Sequence, residues 1–113
     1  MKLNNRELEV MGILGAAKWP LTSTGIVNTG QELTMSTVQA VIRKTQAAGY
    51  VETVGITHSS NVLSRQFALT DKGKEALLED LVNRYRKISG VVSIQEVIAA
   101  LQQADGEQTG GRS

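Results

Sequence analysis

The chain contains no cysteine and one histidine, His58. The first absence excludes disulfides, thiol nucleophiles, thiolate metal sites and cysteine-based redox sensing, and it fits a reducing compartment. The second leaves the carboxylates to supply any catalytic or metal-binding cluster. They are dispersed over separate predicted helices, so no nucleophile–base pair and no metal-ligand spacing emerges. Gly12 and Gly15 follow no predicted strand and therefore form no phosphate loop. These residues predict a non-enzyme without metal or cofactor. An excess of one charge is missing too. Twelve Lys and Arg oppose 11 Asp and Glu, a net charge of +1, so bulk electrostatics do not make a tight non-specific binder of nucleic acid. No apolar run approaches the roughly 20 residues of a membrane-spanning helix, and Met1 to Glu7 lacks an apolar signal core. The expectation is a soluble, cytoplasmic protein with no membrane contact. No internal repeat is visible.

With 113 residues, 41% of them hydrophobic, the chain suits one small domain with an appendage. The charge is unevenly shared. Residues 1–70 carry six Lys and Arg against four Asp and Glu, while residues 71–113 carry six against seven. The cationic surplus accompanies the most informative segment, Leu33 to Val51. Thr34 can cap a helix there, and Gly49 can take the left-handed conformation that stops one. At about 100° per residue, Val38, Val41, Ile42 and Thr45 share one side and form a core stripe. Ser36, Ala40, Arg43 and Ala47 fall opposite, flanked by Thr37, Gln39 and Lys44. Small residues there permit close approach, and hydroxyls, an amide and two cations can bond bases or phosphates.

A first helix is predicted from Asn4 or Asn5 to about Ala17, ended by Trp19-Pro20, with Trp19 and Tyr50 expected in the core or at its edge. A short second helix follows from Ser23 to Thr29, with Ile26 and Val27 inward and Gly30 at its exit. Two helices joined tightly, the second with exposed polar groups, make a helix-turn-helix. Tyr50 to Ile56 and Val62 to Leu69 read as strands joined by the polar turn Thr57-His58-Ser59-Ser60-Asn61, a hairpin that would serve as a wing. Thr70 can cap the next helix, with Asp71 well placed against its dipole. Its apolar stripe is Leu77, Leu78, Leu81, Val82, Tyr85 and Ile88, and Gly90 is a natural stop. Ser93 to Glu96 has capping-box spacing and opens a last helix with Ile94, Val97, Ile98 and Leu101 on one face. Residues 105–113 are expected to be a disordered tail.

The fold class is thus mainly α with a small antiparallel β-hairpin: a winged helix-turn-helix over 1–70, dimerisation helices over 71–104, and the tail. Arg6-Glu7-Leu8-Glu9-Val10-Met11, Leu21-Thr22-Ser23-Thr24-Gly25-Ile26-Val27, Thr37 to Lys44, and Gly49-Tyr50-Val51 resemble the penicillinase-repressor (BlaI/MecI/CopY) family of bacterial regulators across roughly residues 3–102. That resemblance implies a homodimeric repressor on a palindromic operator. The cysteine pairs of the copper-responsive branch are absent, and no cleavage site for a sensor protease can be placed. Leu69 to Leu77 looks more like the wing-to-helix junction of PadR and MarR regulators, for which a small-molecule inducer would be expected.

The residues expected to meet double-stranded DNA are Ser36, Thr37, Gln39, Ala40, Arg43 and Lys44, with Gln39 suited to adenine and Arg43 to guanine or phosphate. Thr34 either caps its helix or also touches phosphate. At the wing, His58, Ser59, Ser60 and Asn61 offer neutral donors, and Arg65 shares a strand face with Leu63 and Phe67, its stem packed and its head toward the DNA backbone. The residues named on the last two helices have little surface to cover in a winged domain of about 70 residues, so they are assigned to a homodimer interface. A winged-helix module that binds protein instead of DNA is the competing reading, sustained by the low net charge.

Overall fold

The structure, a computed structural model, describes residues 2–59 and 62–110, with side chains for all of these except 58, 59, 62 and 107–110. It divides into two compact units, residues 1–80 and 81–113.

In the first unit, α1 (Asn5–Ala16) is started by a capping box. The Glu7 amide donates to Asn4 Oδ1, and the Asn4 amide donates to Glu7 Oε1, both at 2.8 Å. Two amides that a helix start leaves orphaned are thereby satisfied. The helix buries Glu7, Val10, Met11 and Leu14, an i, i+3, i+4, i+7 stripe that includes one carboxylate. Helix α2 (Ser23–Thr29) is capped by Thr22, and α3 (Met35–Ala47) by Thr34, whose hydroxyl accepts from the Thr37 amide at 3.2 Å. Val38, Val41, Ile42 and Thr45 are buried as their spacing predicts. The Thr45 hydroxyl stays satisfied in the core by donating to the Val41 carbonyl at 2.8 Å. Gly49, with φ +82°, supplies the left-handed turn after α3. Core side chains come from every one of these segments: Leu3, Val10, Met11, Leu14, Ile26, Leu33, Val38, Val41, Ile42, Val51 and Phe67.

Strands β1 (Val51–Ser59) and β2 (Val62–Leu69) pair antiparallel from Val51↔Leu69 to Ser59↔Val62, with an extra residue, Val54, between the Thr53↔Phe67 and Gly55↔Gln66 pairs. The hairpin is longer than expected. Thr57 belongs to the ladder opposite Ser64 and not to the turn, because pairing with β2 satisfies backbone groups that a wide loop would leave to water. Leu21 adds a one-residue bridge to Phe67, donating and accepting at 3.1 and 2.8 Å, so the segment ahead of α2 is tied to the wing strand.

Thr70 begins α4 (Asp71–Arg86). Its hydroxyl accepts from the Gly73 amide at 3.0 Å and donates to the Gly49 carbonyl at 2.7 Å, locking the start of α4 to the end of α3. The first turns of α4 pack on the winged core, so the unit boundary falls after Asp80 and not at residue 70. Ala76 and Leu77 lie against the core, and buried Asp80 accepts from the Leu3 amide at 3.4 Å. Leu77, assigned to a dimer interface by its spacing, is thus partly used within its own unit.

In the second unit, the Tyr85 hydroxyl donates to the Val92 carbonyl at 2.8 Å across the turn after α4. The Ser93 and Glu96 pair forms the expected capping box at 3.0 and 3.1 Å, and its bonds hold the Glu96 carboxyl below its usual range. Helix α5 (Ile94–Gly110) extends to Gly110, into the segment from residue 105 expected to be a tail, whose residues 111–113 lie outside the described ones. Leu101, Gln102, Gln103 and Ala104 are good helix formers that carry it on, and one interior glycine, Gly106, costs only about 1 kcal/mol. Among the described residues, no helix is long and apolar enough to cross a membrane.

Candidate nucleic-acid interface

Beside α3 the first unit has an open groove of about 460 Å³. One wall is Met35, Gln39, Ile42, Arg43 and Gln46 of α3, the other is Leu63, Ser64, Arg65 and Phe67 of β2, and Thr22, Ser23 and Thr24 close one end. Gln46 ties α3 to strand β1 beside the groove, its amide nitrogen donating to the Thr53 hydroxyl at 2.8 Å. Phe67 is buried while Leu63 and Arg65 are exposed, so this face of β2 runs from core to solvent with Arg65 on its exposed part. The two charged residues lining the groove are both arginines, one on each wall. A net charge of +1 therefore conceals a local cationic cleft.

The structure brings Gln39, Arg43 and Arg65 together in this groove. Ser36 and Ala40 are exposed on α3 outside the groove lining. Thr34 and Thr37 are engaged with each other, the Thr34 hydroxyl donating to Thr37 Oγ1 at 2.9 Å while it also caps the helix, so capping alone accounts for Thr34. Ser60 and Asn61, and the side chains of His58 and Ser59, lie outside the described residues. Thr22, Ser23, Thr24, Met35, Gln46 and Ser64 were not singled out by sequence. The helical spacing of Met35 and Gln46 with Gln39 on one flank of α3 is the signal that could have found two of them.

Lys44 is a correction. Expected on the outer face, it turns toward α1, with its ammonium 2.8 Å from Glu7 Oε2. Glu7 is 1% exposed, and the Lys44 ammonium beside Oε2 compensates its buried charge. Burial pushes the Glu7 carboxyl up, but the bond to Lys44, the Asn4 amide and the Lys44 charge outweigh it and hold the carboxyl below its ordinary range. Trp19 is a second correction. It is 69% exposed, and the next residue but one, Leu21, is the one that packs against the core, bridged to Phe67. With Leu8, Gly12, Ile13, Ala16, Ala17 and Leu21 it borders an apolar hollow of about 710 Å³ on the outer side of α1.

No family model and no curated relative matches the chain by sequence. Solved structures do match by fold. A PadR family transcription regulator from Clostridium difficile R20291 aligns with a TM-score of 0.58 at 18% identity, covering 78% of this chain and 94% of that one. PadR from Bacillus subtilis, solved in complex with operator DNA, aligns with a TM-score of 0.54 at 15% identity, covering 93% and 70%. A MarR family regulator from Neisseria meningitidis aligns with a TM-score of 0.53 at 19% identity, covering 97% and 77%. The helix-turn-helix, the two-stranded hairpin and the helices that follow place this chain in the winged-helix fold of those regulators.

Proposed function

We propose that this protein is a sequence-specific, non-enzymatic DNA-binding transcription regulator that acts as a homodimeric repressor on a palindromic operator. The observation that carries the proposal is the groove with Arg43 on its helical wall and Arg65 on its wing wall. In duplex DNA the sugar-phosphate ridge separates the major from the minor groove. A helix seated in the major groove with a hairpin reaching past it straddles that ridge, and two opposed guanidinium groups suit it. Gln39, Arg43, Ser36 and Ala40 then face base edges, while Arg65, Ser64 and the hydroxyls of residues 22–24 face the backbone. The operator complex of the Bacillus subtilis PadR structure supports this use of the fold.

Homodimerisation is supported by the second unit and the end of α4. Leu78, Leu81, Val82, Ile88, Val91, Ile94, Ile98 and Leu101 are all exposed, more apolar surface than a small soluble domain ordinarily leaves uncovered. Two-fold symmetry would then impose the palindrome. The sequence runs favour the penicillinase-repressor branch, whereas the solved structures that match by fold include PadR and MarR regulators. Both assignments share the DNA-reading half and differ in the helices after the wing, where proteolysis or a small-molecule inducer would act.

The apolar hollow beside Trp19 favours a second reading, a module that docks another protein. Gel shift of the full chain on the DNA upstream of its own gene, against a scrambled duplex, separates the two. Preferential retardation of the upstream DNA supports the regulator. Equal absence of binding on both, with the fold intact, moves the protein-docking reading ahead.

A further inference from the structure

Lys44 lies on the flank of α3 beside the proposed DNA-reading face, and its side chain is 54% exposed. Its ammonium is nevertheless held 2.8 Å from Glu7 Oε2. Glu7 itself cannot move away readily. It is buried under α3, and its other oxygen is fixed by the Asn4 amide in the capping box of α1. A cation already neutralised by an anchored carboxylate contributes little to counter-ion release when DNA arrives. Moving it to a phosphate would strip compensation from a buried charge. The neighbouring charges of α1 do not substitute, since Arg6 is paired with Glu9 at 3.2 Å.

We propose that Glu7 is an internal counter-ion that holds Lys44 off the phosphate backbone and thereby sets the sequence-independent part of the DNA affinity. The proposal rests on the DNA-binding reading above. It gives the buried carboxylate a role in binding as well as in capping. A more basic α3 would grip any duplex more tightly, and Glu7 removes one cation per protomer from that grip without touching the base-reading side chains.

The test is fluorescence anisotropy of the full chain on the upstream duplex and on a scrambled duplex between 50 and 200 mM salt. The proteins are the parent, Glu7→Gln, and Glu7→Gln with Lys44→Gln. Gln at position 7 keeps an oxygen for the Asn4 amide, so the capping box survives. With the charge gone, Lys44 is freed, and the slope of log affinity on log salt steepens by about 0.9 per protomer, a further gain of roughly 3.5-fold per protomer from 200 to 50 mM. The gain is alike on both duplexes because phosphate carries no sequence information. Adding Lys44→Gln restores the parental slope. An unchanged slope for folded Glu7→Gln overturns the counter-ion proposal and leaves the DNA-binding reading standing. If Glu7→Gln does not fold, the double variant decides, since it removes charge and partner together. A double-variant slope equal to the parent's supports the proposal, and one shallower by about 0.9 per protomer shows that Lys44 already touches phosphate and refutes it. A parent that binds neither duplex removes both readings.

Discussion

Gly73 sits in the first turn of α4, where a side chain would collide with the Tyr50 carbonyl oxygen and would come within 2.7 Å of Leu69 Cδ1. The Tyr50 carbonyl cannot retreat freely, because it accepts the Thr70 amide at 2.9 Å. Gly73→Ala should therefore destabilise the winged unit. Overpacking costs about 1–3 kcal/mol, loss of the Thr70 bond adds about 1 kcal/mol, and the better helix propensity of alanine returns about 1 kcal/mol. The net expectation is a loss of about 1–3 kcal/mol. For a unit of this size each kcal/mol moves Tm by roughly 4–8 °C. Gly12→Ala is the control, since a Cβ there meets nothing within 4 Å, and in mid-helix it should stabilise by about 0.5–1 kcal/mol. Thermal unfolding followed by circular dichroism compares them. A Gly73→Ala protein as stable as the parent would mean that the close approach of the start of α4 to the turn after α3 is not as described.

Thr70→Val should cost about 1 kcal/mol or more by removing both the α4 cap and the bond to Gly49, and chemical denaturation would show it as a lower midpoint. Glu7 has its carboxyl lowered in the folded state, so its stabilising contribution is complete above the ordinary value of 4.5 and is lost as pH falls through the lower folded value. The Tm advantage of the parent over Glu7→Gln should therefore shrink as pH drops below about 4.5 and be flat above it. Leu81, 52% exposed, should tolerate aspartate in an isolated chain. In a dimer Leu81→Asp would bury a charge at a cost of several kcal/mol, so sedimentation should show dissociation without loss of helicity. A parent that sediments as a monomer at micromolar concentration would refute the dimer.

The elements were legible where local chemistry decides them. Thr34, Thr70 and the Ser93–Glu96 box cap helices because their oxygens reach nearby amides, Gly49 stops α3 by its backbone, and the stripe Val38, Val41, Ile42, Thr45 follows from helical spacing. What escaped depends on partners distant in the chain. Nothing local tells Lys44 that a carboxylate 37 residues earlier lies buried beneath it. The aromatic size of Trp19 suggested burial, whereas it is Leu21, bridged to the core residue Phe67, that packs inward from this segment. Thr57 looked like a turn residue until its pairing with Ser64 recruited it into the wing. The groove was half legible. Arg43 and Arg65 stood out individually, but that they face one cleft is a property of how α3 meets β2.

The claim that this cleft grips DNA is tested most directly by the affinity of Arg43→Ala combined with Arg65→Ala for the upstream duplex across a salt series, with folding verified by circular dichroism. If both arginines meet the backbone, the salt slope should become shallower by about 1.8 per protomer and binding should weaken on every sequence. If Arg43 reads a guanine, the cognate duplex should lose a further 1–3 kcal/mol or so relative to the scrambled one. A folded double variant that binds the upstream duplex with the parent's affinity and salt dependence would contradict the central claim.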